Sequence, residues 1–203
     1  MRIFCIGRNY AEHIAELQNE RPAEPVIFSK PDSAILRKNS PFYLPDFTQD
    51  VHHELEIVLK INKLGKNIPA KFADNYYEEI GLGIDFTARD VQSKLKAKGL
   101  PWDIAKGFDG SAPISDFLPK SQFPGFPQLT FDLKINGETR QEGDTSLMLW
   151  SFGEIIAYLS KFFTLKIGDL IFTGTPAGVG PVQIGDRLTA SLEGQTLLDF
   201  DVK

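Results

Sequence analysis

Glu54, Leu55 and Glu56 place two carboxylates two residues apart. On a strand such side chains point the same way. Two carboxylates on one face repel each other unless water or a cation lies between them. An oxygen-only donor set selects a hard cation such as Mg²⁺, Mn²⁺ or Ca²⁺. An isolated Glu-x-Glu is more commonly the solvent face of an edge strand. Here His52-His53 precede it and Ile57-Val58-Leu59 follow, which weakens that reading. Asp85 is the candidate third ligand. Ile80, Leu82, Ile84 and Phe86 alternate with Gly81, Gly83, Asp85 and Thr87, so Asp85 shares its face with glycines that permit close approach. Taken alone, Asp85 reads equally well as a cap or turn residue.

His13 and Glu16 lie three apart, one helical turn, so the carboxylate can hold and polarise the imidazole. An oriented histidine is a good general base near neutrality. Spacing alone favours an ordinary surface pair. His52 and His53 could ligate zinc, but beside Glu54 they fit better as supports of the strand and its carboxylates. Three ligating carboxylates against one divalent ion leave about one negative charge, so an anionic substrate needs further cations. Arg8, Lys30 and Lys106 are candidates, the two lysines because they interrupt apolar runs. Snorkelling lysines are an equal reading. Thr173 to Gly180 is glycine-rich and can turn backbone N–H groups toward an anion. It lacks the Lys-Ser/Thr end of a P-loop, and a plain turn is its default.

Several elements must hold these groups. Arg2 to Ile6 reads as a strand ending at Gly7. Asn9 and Glu12 have capping-box spacing ahead of a short helix from about Tyr10 to Leu17. Gln18 to Pro25 reads as a loop and Val26 to Phe28 as a strand. The run from Val51 alternates, with His53, Leu55, Ile57 and Leu59 on one face and His52, Glu54, Glu56 and Val58 on the other. Asp90 to Lys98 reads as a helix stopped by Gly99. Leu129 to Ile135 reads as a strand ahead of an Asn136-Gly137 hairpin turn. Ser151 to Glu154 is a second capping box, opening a third helix. Gly168-Asp169 and Gly185-Asp186 read as two similar turns, each ahead of a strand.

The chain has 203 residues and a net charge of −5, with 42% hydrophobic and 24% charged residues. Its length suits one domain with a sizeable core. The lone Cys5 excludes an internal disulfide and a cysteine-based zinc cluster. The acidic balance, without a Lys/Arg run, argues against nucleic acid as a partner. No stretch is long and apolar enough for a membrane span, and Met1 to Gly7 is too short for a signal peptide. A cytoplasmic, β-rich domain is expected.

Seven segments in order resemble the fumarylacetoacetate hydrolase family. They are Gly7-Arg8-Asn9-Tyr10, Lys30-Pro31, His52 to Glu56, Asp85 to Asp90, Lys106 to Asp109, Asn136-Gly137-Glu138 and Thr173 to Gly180. Lys98 to Trp102 and Arg140 to Gly143 further resemble the small acylpyruvase and oxaloacetate decarboxylase type. Gly107 departs from the pattern, since many members carry Ser there. The resemblance implies a mainly β (α+β) mixed sandwich roll with short helices. It implies one catalytic domain over residues 1–203, with a lid helix at about 9–25, in a homodimer. It implies Mg²⁺ or Mn²⁺, with Ca²⁺ able to replace them in crystals, on Glu54, Glu56 and Asp85. His13 and Glu16 would activate water, Lys106 would act on the substrate, and Arg8, Lys30, Gln92 and Thr175 would surround it. The expected reaction is C–C cleavage in a small anionic 2-oxo acid through a metal-stabilised enolate: acylpyruvate hydrolysis, or loss of CO₂ from oxaloacetate. An isomerase or tautomerase on related acids is the alternative. A non-catalytic metal-dependent binding protein is the rival from another class.

Overall fold

A computed structural model describes residues 1–16 and 20–203. The C-terminal end expected for the first helix, at Leu17, and part of the lid span lie outside the described residues.

The centre is a six-stranded mixed sheet. Its order is Val26–Lys30, Ile3–Gly7, Leu170–Phe172, Leu55–Ile61, Tyr77–Ile84 and Leu118–Pro119. Only the pair Ile3–Gly7 and Leu170–Phe172 runs parallel in this sheet. Its inner strands Ile3–Gly7, Leu170–Phe172 and Leu55–Ile61 are buried on both faces, which explains their nearly unbroken apolar runs. Leu55, Ile57 and Leu59 share the larger core with Ile80, Leu82 and Ile84, and with Phe131, Leu133, Leu188 and Leu198 from a second sheet. That second sheet is antiparallel, ordered Glu138–Asp144, Thr130–Ile135, Arg187–Leu192 and Gln195–Asp201. Val58 and Phe172 belong to a smaller core with Ile3, Cys5 and Ile114. The result is mostly strands in several sheets with a few short helices.

The Asn136-Gly137 turn has φ of 54° and 83°, both positive as a tight hairpin turn requires. Gly168 and Gly185 are left-handed at 86° and 96°, and each precedes a strand as expected. Among the described residues there are four α-helices: α1 (Ala11–Glu16), α2 (Arg89–Ala97), α3 (Asp103–Lys106) and α4 (Phe152–Phe162). The expected capping box forms at α4, where Ser151 and Glu154 bond reciprocally. At α1 it does not. Asn9 is fully buried; its Nδ2 donates to Trp150 O and Thr173 O, and its Oδ1 accepts Trp150 N–H. Buried main-chain groups outbid an exposed helix end, because they have no water to turn to. Helix α3 was not anticipated, since one turn is too short to show a period. Yet it carries Lys106.

The run from Val51 is not one strand. Val51–His53 pairs with Gly180–Pro181 and Thr87–Ala88 in a small sheet, and Leu55–Ile61 pairs in the central one. Glu54 is the step between them, and its carbonyl accepts Asp85 N–H at 2.8 Å. Asp85 correspondingly sits one residue past the strand Tyr77–Ile84.

Gly83 lies opposite Glu56 in the ladder. A Cβ there would fall 2.5 Å from the Phe172 ring and 2.7 Å from Val58 Cγ2. Gly83→Ala should therefore cost about 1–3 kcal/mol through overpacking, read as a lower urea midpoint. An unchanged midpoint contradicts the close approach.

Candidate active site

The break at Glu54, the start of the neighbouring strand's exit and the Glu56 register position bring three acids together. Donor atoms of Glu54, Glu56 and Asp85 all lie within 4.8 Å of one another, and all three residues are buried. Three buried charges of one sign demand compensation. Lys106, from α3, donates to Glu54 Oε2 and Asp85 Oδ2, each at 2.7 Å. Arg89, at the start of α2, donates to Glu54 Oε1 at 2.5 Å. Burial raises the Glu54 carboxyl, but Lys106 and Arg89 outweigh it and hold it well below the usual range. Burial also depresses the Lys106 ammonium, and Asp85 and Glu54 more than reverse this.

Glu56 receives no ion pair among the described residues. Its Oε2 accepts Gly174 N–H at 2.6 Å. Burial, then Asp85 and Glu54, push its pKa well above the ordinary value. A carboxyl in that position binds a proton or a cation in preference to standing bare. Asp85 Oδ1 is likewise buried, with Lys30 Nζ at 2.8 Å but no hydrogen bond of good geometry. An all-oxygen donor set with one uncompensated carboxylate fits a divalent cation.

The triad opens on a small cavity of about 40 Å³, whose wall includes His13, Arg8, Gln92, Lys106, Thr175 and Lys96. His13 is buried on α1, with Nδ1 3.3 Å from Glu16 Oε2. Glu16 Oε1 accepts Gly178 N–H at 3.0 Å, tying α1 to the glycine-rich loop. Arg8 has φ of 60°, a strained value for a side-chain-bearing residue and one found at functional positions. Gln92 Oε1 accepts from Arg89 at 2.8 Å, so its NH₂ is the end left for the cavity. Phe28 and Trp102 complete the wall, and Lys106 Nζ sits 4.9 Å from the Phe28 ring centre. A wider groove of about 1320 Å³ on the outer side of Val26–Lys30 lacks the acid triad.

Lys30 is placed differently from its expected role around the substrate. Its side chain is fully buried behind Asp85. Its Nζ donates to Phe86 O and Ser111 O at 3.1 Å and to Lys106 O. It is not part of the cavity wall. A buried ammonium surrounded by carbonyls braces Asp85 and the end of α3. Gly107 is explained by packing, since a Cβ there would lie 2.9 Å from both Asp103 O and Pro31 Cδ. Neither neighbouring histidine joins the triad. His53 Nδ1 lies 3.0 Å from Gln141 Oε1, and His52 Nε2 lies 2.9 Å from Asp50 Oδ1. Arg89, Lys96 and Gln141 were not singled out from sequence. For Gln141 a signal existed: it falls in the Arg140 to Gly143 stretch that carries the resemblance, and its side chain is on the inward face opposite Leu133.

The family model for the fumarylacetoacetate (FAA) hydrolase C-terminal domain matches residues 2–203. The chain belongs to this family. A mitochondrial oxaloacetate tautomerase of Bos taurus is 46% identical over 201 residues, 99% of this chain and 91% of that protein. An oxaloacetate tautomerase of Escherichia coli (strain K12) is 44% identical over 197 residues, 97% of this chain and 90% of that protein. Among solved structures, a fumarylpyruvate hydrolase from Pseudomonas aeruginosa in complex with Mn²⁺ and pyruvate aligns with a TM-score of 0.94 and 38% identity, covering 100% of this chain and 89% of that one. The chain is therefore a member of an enzyme family, carrying an acidic triad fit for a divalent metal. No helix among the described residues is long and apolar enough to cross a membrane.

Lys30→Met keeps the side chain's length and removes its charge. It should destabilise the fold by about 3–5 kcal/mol, the usual cost of stranding one partner of a buried ion pair. Urea denaturation reads this, and a loss under 1 kcal/mol contradicts the bracing role.

A carboxyl with a raised folded-state pKa binds protons more tightly folded than unfolded. Stability then falls as pH rises from the unfolded value, near 4.5, through the raised folded one. In EDTA, Glu56→Gln should therefore gain thermal stability over the parent as pH rises above about 4.5. Added Mn²⁺ should raise the melting temperature of the parent more than that of the variant. A parent indifferent to Mn²⁺ rules out the triad as a metal site.

Proposed function

We propose that the chain is a divalent-metal-dependent tautomerase interconverting the enol and keto forms of oxaloacetate-like β-dicarbonyl acids. One observation carries the reading: an oriented histidine, an acid triad and several cations enclose a single cavity. The names of relatives near 45% identity support tautomerisation ahead of the C–C cleavage expected from sequence.

Mg²⁺ or Mn²⁺ on Glu54, Glu56 and Asp85 would draw charge from the 2-oxo acid's oxygens and so acidify the adjacent C–H. The protein supplies the rest. Glu16 holds the Nδ1 side of His13, which leaves Nε2 as the basic atom. In the keto direction, His13 Nε2 would take the enol O–H proton and deliver it to the adjacent carbon. In reverse, His13 Nε2 takes the carbon's proton. Lys106, charged and fully enclosed, compensates the negative oxygen that develops in between. Arg8 and the Gln92 NH₂ would face the substrate's distal carboxylate, and Thr175, next to the Gly174 that bonds Glu56, the oxygens of its 2-oxo acid end. Helix α1, tied down through Glu16 and Gly178, keeps bulk water from the proton. The cavity, about 40 Å³, is well below the usual ligand-site range of about 300–1,000 Å³, so α1 would act as a lid that parts for substrate to enter.

Acylpyruvate hydrolysis is the second reading, favoured by the similarity to a fumarylpyruvate hydrolase. There His13 would deprotonate water rather than carbon, and the same site would release pyruvate and an acid.

Proton NMR of oxaloacetate and of acetylpyruvate, each with Mg²⁺, separates the readings. Rapid keto–enol equilibration without acid release is the expected outcome. Acetylpyruvate hydrolysis faster than tautomerisation favours the second reading. CO₂ release from oxaloacetate makes the chain a decarboxylase, and inertness to both substrates overturns the proposal. His13→Ala should slow tautomerisation by about 10²–10⁴-fold, the range for a lost general base. It should affect decarboxylation less, because that reaction removes no proton from carbon.

A further inference from the structure

We infer that Gln141 is a positioning residue that sets the donor and acceptor polarity of the active site, making the Thr175 hydroxyl a hydrogen-bond donor to a substrate oxygen. This rests on the cavity being the substrate site proposed above.

Gln141 comes from the strand Glu138–Asp144 of the second sheet and is almost fully buried. Its oxygen accepts Leu55 N–H at 2.9 Å and meets His53 Nδ1 at 3.0 Å. Its nitrogen donates to Thr175 Oγ1 at 2.8 Å and to Pro176 O at 3.1 Å. Both lone pairs of the amide oxygen and both hydrogens of its nitrogen are thus engaged.

The orientation of this amide follows from partners that cannot change role. Leu55 N–H can only donate, so the atom facing it is the oxygen. Pro176 C=O can only accept, so the atom facing it is the NH₂. Two consequences follow. His53 must carry its proton on Nδ1 to satisfy the same oxygen. Thr175 Oγ1 must accept from the NH₂, so its own hydrogen points elsewhere. Thr175 lines the cavity, and that hydrogen is available to an acceptor there. The subsite therefore takes a carboxylate, carbonyl or enolate oxygen.

The same amide sits astride the mechanical centre of the site. Its oxygen holds the residues on both sides of Glu54, where the chain steps between sheets. Its nitrogen holds the loop whose Gly174 and Gly178 N–H groups bond Glu56 and Glu16. A Cβ on Gly178 would lie 2.1 Å from Arg140 O, so the loop rests directly on the backbone next to Gln141. One side chain thereby couples the ligand strand, the loop and, through Glu16, the proposed base.

Calorimetric titration of oxalate in the presence of saturating Mn²⁺ tests this without depending on which reaction the enzyme runs. Thr175→Val should weaken oxalate binding about tenfold, as expected for a lost hydrogen bond to a charged group, and Thr175→Ser should retain it. Gln141→Leu should weaken it at least as much. The double variant Gln141→Leu, Thr175→Val should be no weaker than Gln141→Leu alone, since the hydroxyl is already unaligned. In turnover, Thr175→Val should raise KM more than it lowers kcat. Long-range ¹H–¹⁵N spectra should show the His53 ring protonated at Nδ1. Wild-type oxalate affinity in Thr175→Val, multiplicative losses in the double variant, or an Nε2-protonated His53 would each overturn the inference. If Gln141→Leu does not fold, the Thr175 pair and the His53 spectrum of the parent decide it alone. If oxalate responds as expected and no oxo acid turns over, the assigned reaction fails and the polarity assignment stands.

Discussion

Three buried carboxylates with donor atoms within 4.8 Å of one another are the constraint around which this protein is organised. Bare charges in that setting are costly enough that a protein must pair them, protonate them or give them a metal. Glu54 is paired twice over, with Lys106 and Arg89. Asp85 has Lys106 on one side and Lys30 on the other. Glu56 is left with a backbone N–H and a raised affinity for positive charge. Local asymmetry of compensation, rather than the acids as such, makes this a site for a divalent ion.

The surrounding architecture follows from that asymmetry. Lys106 reaches the acids because α3, a single turn, ends at Gly107 against Pro31. Its carbonyl is gripped by Lys30, whose ammonium is in turn held by Asp85. The two lysines look alike in sequence and do different work: one reaches the cavity, the other braces it from behind. The proposed base is mounted separately, on a six-residue helix bound to the glycine-rich loop by Glu16. A helix that short has little stability of its own. Its hold on the site depends on tertiary contacts through Asn9 and Gly178.

Much of this was legible in the residues. The acid triad was readable because alternation in a strand puts Glu54 and Glu56 together and because glycine next to Asp85 signals close approach. His13 with Glu16, the Ser151 capping box, the Asn136-Gly137 turn and the twin Gly-Asp turns are local patterns, and local patterns are what a sequence displays directly. Where a local pattern competed with a buried long-range demand, it lost. Asn9 left its helix end for the backbone of Trp150 and Thr173, and the strand broke at Glu54.

The sequence alone therefore determined the donor chemistry: hard oxygen ligands, an oriented imidazole, lysines set in apolar runs and the strands that carry them. Only the tertiary structure decided who compensates whom. Gln141 lies 86 residues from Leu55, Lys106 lies 52 from Glu54, and Gly178 lies 162 from Glu16. No periodicity spans such distances. Those pairings are settled by sheet packing, because a buried polar group takes the partner that the fold brings within reach.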